Sequence, residues 1–324
     1  MKIVVLGAGA LGSIIAGHLA RAGEDVALVA RGDRAEYLRQ NGITINGLAE
    51  FNAACPIVTN PSQIPEADVL IVAVKTHQMN GAISGLSHLR FPCVTSVQNG
   101  VRWYEQLSEV FGVANVIGAS ALISGEMATS GEVSFTYNGC FEVGEISGES
   151  TVRVQDLSAM LQRSGVNSAS AANILTVQWS KLVAWVGATS LGLLTRLETY
   201  KFASDSGCAL VWARVMREVG TIAKMKGIPL EDTGPFPVKI VVNESEENAV
   251  LALQELGHKF EATAPDHRMS ALQDLQRGQR LEIDETMGHA VDEARRLGIP
   301  TPTLEMCYNL CKGINENLQK GALS

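Results

Sequence analysis

Residues 1–31 read MKIVVLGAGALGSIIAGHLARAGEDVALVAR. A β-favouring apolar run leads straight into Gly7, Gly9 and Gly12, and the stretch closes on Arg31. KIVVLG predicts a buried strand, because its apolar residues run on without polar alternation. ALGSIIAGHLARAG predicts a helix that ends at Gly23, and DVALVA predicts a second strand. Strand, helix, strand in this rhythm is the signature of a parallel sheet. The glycines form a G-x-G-x-x-G pattern, which is weak alone. A strand before it and a helix after it are the context that gives it weight. Gly7 lets the chain turn sharply. Gly9 offers no side chain to block a pyrophosphate, and Gly12 lets helix and strand pack closely. Ala10 and Leu11 open the helix, whose N-terminal N–H groups and partial positive charge suit phosphate. Gly7, Gly9, Ala10, Leu11 and Gly12 are therefore expected to bind a dinucleotide. The competing reading is a glycine-rich turn with no ligand.

Arg31 bears on which dinucleotide. NAD sites usually place Asp or Glu at the end of the second strand, to accept from the ribose 2′-hydroxyl. Here VALVAR ends in arginine, and Arg34 follows. A guanidinium meets a 2′-phosphate dianion with paired, charge-assisted bonds, whereas an acid would repel it. The expectation is NADP rather than NAD, against a plain solvated arginine.

Outward from this stretch, the same texture continues. VLIVAV (69–74) and CVTSVQ (93–98) read as further buried strands. The segment from Val116 to Ile146 reads as additional strands, with turns at Ser-Gly and Asn-Gly, expected to close the far side of the sheet. TVRVQDLSAMLQRSG (151–165) is an amphipathic helix, and from Asn173 onward almost everything has helical period. Gly227, Pro229, Gly234, Pro235 and Pro237 break it once. GIPTPTLE (298–305) breaks it again, with Gly298 as a terminator and Pro302 near the next helix start. The expected fold class is α/β, a Rossmann-type parallel sheet domain over residues 1–170 followed by an all-helical domain over 171–324.

The chain has 324 residues, 46% hydrophobic and 19% charged, enough for a large core in about two domains. A formal net charge of −8 argues against a nucleic-acid or anionic-membrane binder. Six scattered cysteines without a CxxC pair suggest a reducing cytoplasm. Cys307 and Cys311 lie one helical turn apart, but other metal-type ligands nearby are lacking, so packing is expected rather than a metal. The first twenty residues superficially imitate a signal peptide, yet their glycines argue for a folded turn. The apolar stretch from Leu182 to Thr195 is too short to span a bilayer.

In an open parallel sheet, ligands sit beyond the carboxyl ends of the strands. Lys75 follows VLIVAV and Asn99 follows CVTSVQ, so both fall at that rim, where an ammonium and an amide can contact cofactor or substrate. The plainer readings are a solvated lysine and an Asn-Gly turn. His77 lies near the same rim and reads as a bystander.

With GAGALG and Arg31, VAVKTHQ (72–78), QNGV (98–101), WSKLVAW (179–185) and MSALQDLQRGQRLEIDETMGHAVDEARRLGIP (269–300), the chain resembles the ketopantoate reductase (2-dehydropantoate 2-reductase) family over essentially its whole length. The resemblance implies NADPH-dependent reduction of the 2-oxo group of ketopantoate to pantoate, on the route to pantothenate. It implies that Lys181 is the general acid, that Glu282 orients that lysine and the substrate, and that Ser270 hydrogen-bonds the substrate carboxylate. Asn99 and Lys75 would position cofactor and substrate. A small-molecule 2-oxo acid and a second copy in a homodimer are the expected partners.

One departure stands out. The family usually carries asparagines four and eight positions after the lysine, and here those positions hold Trp185 and Thr189. Residues 181, 185 and 189 share one helix face. Trp185 and Thr189 are thus expected to line the substrate site in a reshaped form, suited to a larger or more apolar 2-oxo acid. A protein that senses NADP(H) without turnover, and another Rossmann-plus-helical dehydrogenase, are the rival readings.

Overall fold

The computed structural model describes residues 1–321. The chain divides into two compact units, Met1–Leu175 and Thr176–Ser324.

In the first unit the strands β1 (Lys2–Leu6), β2 (Asp25–Val29), β3 (Ile43–Gly47), β4 (Phe51–Ala53), β5 (Ile57–Val58), β6 (Val69–Val72), β7 (Cys93–Ser96), β8 (Gly118–Met127), β9 (Val133–Gly144) and β10 (Ser168–Ser170) form two sheets. Helices α1 (Ala10–Arg21), α2 (Gly32–Asn41), α3 (Met79–Ile83), α4 (Trp103–Phe111) and α5 (Val152–Arg163) connect them. The first sheet is wholly parallel, in the order β5-β2-β1-β6-β7. All of β6 and β7 is buried, as is β1 from Ile3 onward, which is why these strands read as unbroken apolar runs. The strand order reverses between β1 and β6, so the glycine-rich segment after β1 sits at the topological switch point of a Rossmann-type sheet.

The strands predicted after Val116 do not close that sheet. β8 and β9 form an antiparallel hairpin inside a second, mixed sheet of order β10-β9-β3-β4. A single parallel bridge, Val94 to Val116, joins its approach to β7. This sheet packs on the far side of α1: Ile43 and Ile45 lie against Gly17, and Ile14 against Gly125. α1 is therefore covered on both sides and buried from Gly12 to Leu19.

The expected Ser-Gly turn exists, since Gly131 (φ +92°) closes the hairpin with its N–H on the Ala128 carbonyl. The expected Asn-Gly turn does not, and β9 runs through Asn138 and Gly139 with a shifted register. The Asn138 amide is spent instead on the Gly165 carbonyl (3.1 Å) and the Asn167 N–H (3.0 Å). An asparagine held that way marks an irregularity within a strand rather than a reversal.

The second unit is helical: most of α6 (Ile174–Thr195), then α7 (Thr199–Ser204), α8 (Ser206–Met225), α9 (Val238–Asn243), α10 (Glu246–Thr263), α11 (Ser270–Gln276), a π-turn (Asp284–Gly288), α12 (His289–Leu297) and α13 (Pro302–Gln319). Gly298 ends α12 in the left-handed region (φ +69°), and Pro302 stands in the first turn of α13, as expected of each residue type. The Glu218 carboxylate accepts from the Thr303 and Leu304 N–H groups and so caps α13.

His18 is a titratable group built deep into the first unit. Its ring is 4% exposed and stands edge-on to Phe51 and Phe135. Nδ1–H donates to the Ser164 carbonyl at 3.0 Å, which leaves Nε2 as a buried lone pair without a partner among the described residues. Burial pushes the His18 pKa below its ordinary value, with Arg21 adding to the effect and the Ser164 bond opposing it. The folded state thus favours neutral His18. Its contribution is complete above the unfolded value near 6.5 and is lost as pH falls below it. Denaturant unfolding from pH 7 to pH 5 is expected to show a shallower loss of stability in His18→Gln than in the wild type; parallel slopes would remove His18 from the account.

Candidate active site

The glycine-rich loop is shaped by three different constraints. Gly7 adopts φ +114°, and a Cβ there would lie 2.8 Å from Val74 Cγ1 and 2.9 Å from the Ala73 backbone. At Gly12 a Cβ would lie 1.9 Å from the Gly7 carbonyl oxygen, so β1 and α1 approach each other as closely as a backbone allows. Gly9 is the opposite case. It has an ordinary extended conformation (φ −70°, ψ −169°) and nothing within 4 Å of where a Cβ would stand. Space, not strain, makes glycine useful there. Gly9 caps α1 with no side-chain bond and no acid in the first turn, leaving the N–H groups from Gly9 through Ala10, Leu11 and Gly12 outside the helical ladder. An open cradle of N–H donors at a helix N-terminus fits a pyrophosphate.

Arg31 is exposed just past β2, at the N-cap of α2, without a side-chain cap bond. Among the described residues it enters no ion pair. Arg34 behaves differently from a second phosphate ligand. It turns inward onto the Ala8 and Gly131 carbonyls and the Ser13 hydroxyl.

Lys75 and Asn99 follow β6 and β7 at the same carboxyl edge, and both are partly exposed. Lys75 caps a short 3₁₀ turn, Thr76–Gln78. Asn99 precedes Gly100 (φ +81°), which turns the chain away from the sheet. Sequence reasoning missed the residue that spaces them. Gln98 donates from Nε2 to the Val74 carbonyl at 2.7 Å, tying the two strand ends together. Its only signal in the sequence is its place at the end of the predicted strand.

In the second unit, α6 is buried from Thr176 to Leu193 except at Lys181 and Trp185, one turn apart on one face. Thr189, a further turn on, is 0% exposed, and its hydroxyl has no hydrogen-bond partner among the described residues. The neighbouring Ser190, by contrast, bonds back to the Val186 carbonyl at 2.8 Å. Part of Lys181 remains accessible, but burial around its ammonium pushes the pKa down to about 8, with the Glu282 carboxylate acting in the opposite direction. Lys181 and Glu282, a hundred residues apart in sequence, are thus brought within electrostatic reach.

Glu282 is 9% exposed and lies just before the π-turn. Asn315 Oδ1 accepts the Leu281 N–H at 2.9 Å, and the Thr286 hydroxyl donates to the Glu282 carbonyl. Tyr308 donates to Asp284 at 2.9 Å. These bonds fix a widened turn of the kind that often marks functional positions. Asn315, Thr286 and Tyr308 were invisible to sequence reasoning, since a polar residue in a helical pattern gives no hint of what it caps. Ser270 is exposed at the start of α11. Its neighbour Met269 packs on Gly192 of α6, close to one turn beyond Thr189.

The comparisons fit this geometry. A family model described as ketopantoate reductase PanE/ApbA matches residues 3–148, and its C-terminal counterpart matches 173–315. The chain belongs to the ketopantoate reductase family. It is an oxidoreductase of the kind that acts on CH–OH groups. Similar relatives include the 2-dehydropantoate 2-reductases of Pyrococcus horikoshii (25% identical, covering 99% of this chain and 100% of the relative) and Archaeoglobus fulgidus (27%, 98% and 99%). The solved PanE/ApbA family ketopantoate reductase from Ralstonia eutropha JMP134 superposes with a TM-score of 0.83 at 26% identity, covering 98% of this chain and all of that one. D-mandelate dehydrogenase, solved with NADH and anilino(oxo)acetate, shares the fold at a TM-score of 0.85 with 20% identity and the same coverage of each chain. A reductase of this family works with a nicotinamide dinucleotide, and the glycine loop has the shape to hold one. No helix among the described residues is long and apolar enough to cross a membrane.

The last two glycines of the loop separate folding from binding. Gly9→Ala should keep the wild-type melting temperature but lose at least about tenfold in dinucleotide affinity, because the methyl group occupies the ligand's space. Gly12→Ala should fail to fold or melt far lower, because its Cβ meets the Gly7 carbonyl. Thermal melts with calorimetric titration of both variants check this; an unaffected affinity in Gly9→Ala would contradict the cradle.

Proposed function

We propose that the protein reduces 2-dehydropantoate to pantoate with NADPH, the first unit holding the dinucleotide and the second supplying the substrate and proton chemistry. The observation that carries this reading is Lys181, the one ammonium on the buried length of α6, softened to about 8 by burial and opposed by Glu282. When bound, the nicotinamide supplies a hydride to the 2-oxo carbon. Lys181 faces the oxygen of that carbonyl, stabilises the negative charge that develops there and donates the proton that completes the hydroxyl. At neutral pH a group with a pKa near 8 is mostly charged yet gives up its proton far more readily than an ordinary lysine. Burial then favours the neutral amine that remains. Glu282 keeps the ammonium charged before the reaction and holds its direction. Ser270 takes the substrate carboxylate, Asn99 and Lys75 set cofactor and substrate, and the N–H groups of Gly9 to Gly12 hold the pyrophosphate. Arg31 pairs with the 2′-phosphate. The protein acts as a cytoplasmic homodimer in this reading, consistent with six unbridged cysteines, of which burial raises Cys93 and Cys311 to about 12.

Trp185 favours a second reading, in which another 2-oxo acid is the substrate. A partly exposed indole one turn from Lys181 offers a broad apolar surface and a single donor, where a hydroxylated chain would need more partners. A panel of 2-oxo acids assayed with NADPH decides between them. Ketopantoate should lead in kcat/KM; a lead for an apolar or aromatic 2-oxo acid would establish the second reading, and no turnover on any of them would overturn both.

The proton donor has a pH signature. The reduction should be fast below the Lys181 pKa and fall as pH rises through about 8. Glu282→Gln removes the one cause that raises that pKa, so the alkaline limb of the kcat profile should move to lower pH, and an unmoved limb would dismiss the pairing. Lys181→Ala should lower kcat at least about a hundredfold while dinucleotide affinity survives. For the cofactor, Arg31→Ala should reduce the NADPH-to-NADH ratio of kcat/KM by about tenfold or more. An unchanged ratio would free Arg31 from this role.

A further inference from the structure

The glycine loop is held from behind by a side-chain device outside its own motif. The Ala8 carbonyl receives two donors: Arg34 Nε at 3.1 Å and the Ser13 hydroxyl at 3.2 Å. Ser13 in turn accepts from Arg34 Nη2 at 3.0 Å, and this settles the direction of its own proton toward Ala8. Arg34 Nη1 donates to the Gly131 carbonyl at 2.5 Å, anchoring the group to the β8–β9 turn. Its guanidinium also lies over the Tyr37 ring, 5.2 Å from the centroid, and that ring is packed against Gly131. Ser13 is fully buried at 0% exposure. The guanidinium is therefore engaged through all three of its nitrogens and fixed in place by groups from α1, α2 and the hairpin.

The consequence follows from the planarity of the peptide bond. No peptide among the described residues is cis, so the Ala8 carbonyl and the Gly9 N–H point in opposite directions from one rigid plane. Two donors pull the carbonyl toward Ser13 and Arg34. The Gly9 N–H is thereby turned away from them, on the residue whose side-chain position is open space. Without this grip the Ala8–Gly9 peptide is held less firmly, because Gly9 does not restrict its own φ as other residues do and has nothing packed at its side-chain position. We propose that Arg34 and Ser13 are positioning residues for the dinucleotide, fixing the Ala8–Gly9 peptide so that its N–H is presented to the pyrophosphate before the ligand arrives. This rests on the dinucleotide reading of the same loop and adds what holds that loop ready. It assigns Arg34 a role distinct from Arg31, one that serves the part of the ligand common to NADPH and NADH.

The test is calorimetric titration of the full-length wild type, Arg34→Gln and Ser13→Ala with NADPH and with NADH, alongside steady-state rates. Arg34→Gln should weaken both dinucleotides by about tenfold, since a charge-assisted bond to the loop is lost. The NADPH-to-NADH ratio should stay within about twofold, and kcat at saturating NADPH should stay within about twofold of wild type. Loss of folded protein alone would lower apparent kcat and leave the affinity of the folded fraction intact. Ser13→Ala, a smaller change at a buried site, should weaken both dinucleotides in the same direction, and the double variant should lose less than the product of the two. If Arg34→Gln does not fold, Ser13→Ala decides. Affinities within about twofold of wild type in the variants that fold would overturn the proposal. So would a loss confined to NADPH, because it would make Arg34 a ligand of the 2′-phosphate. Wild-type protein that binds neither dinucleotide would overturn the parent reading and this one with it.

Discussion

The first unit depends on one close approach, the passage of α1 over the end of β1 with the Gly12 Cα set against the Gly7 carbonyl. A single methyl group at Gly12 would stand 1.9 Å from that oxygen. Because the approach is allowed, α1 lies directly on the parallel sheet, and its opposite face, with Ile14, Gly17 and His18, is left to support a second sheet. Both layers are thus organised by the same helix, whose free N-terminus opens at the switch point. The geometry that makes the core also leaves the N-terminus of α1 open, and this is why Gly9 can be so different from its neighbours in constraint.

The second unit applies the reverse logic to a charge. α6 is buried along nearly its whole length, and burial disfavours an ammonium. Lys181 is tolerated there because part of it reaches an accessible face and Glu282 answers its charge. The tension between desolvation and that carboxylate is what sets a lysine near 8 rather than at its ordinary value. Maintaining it requires Glu282 to be held, and the π-turn, Thr286 and Asn315 do so through backbone bonds. The buried Thr189 hydroxyl, without a hydrogen-bond partner among the described residues, and the partly accessible Trp185 indole lie on the same helix face as Lys181.

Much of this was legible in the sequence where one residue type answers one local constraint. Unbroken apolar runs gave the parallel strands, because strands covered on both faces carry no polar alternation. Gly298 and Pro302 marked helix ends through their own torsions. The loop glycines and Arg31 could be placed beyond the ends of β1 and β2 from the apolar runs before them. What escaped was non-local. The second sheet escaped because the parallel pairing of β3 with β9 joins segments about ninety residues apart, and nothing in either one names the other. Asn138-Gly139 looked like a turn because the partners that engage the Asn138 amide lie past Met160, in a different loop. Arg34 looked like a neighbour of Arg31, since only Gly32 and Asp33 separate them, yet that spacing turns it inward. Lys181, Glu282 and Ser270 were nameable only through the family resemblance. A lone lysine in an apolar helix, a glutamate before a helix and a serine at a helix start carry no local signature of chemistry.

The proposed hydride and proton chemistry requires a phosphorylated nicotinamide dinucleotide to settle on the loop after β1. The direct measurement is isothermal titration of the purified, full-length protein with NADPH and, separately, with NADH. Saturable heat with one site per chain, and tighter binding of NADPH, is the expected result. Absence of saturation with either nucleotide would contradict it.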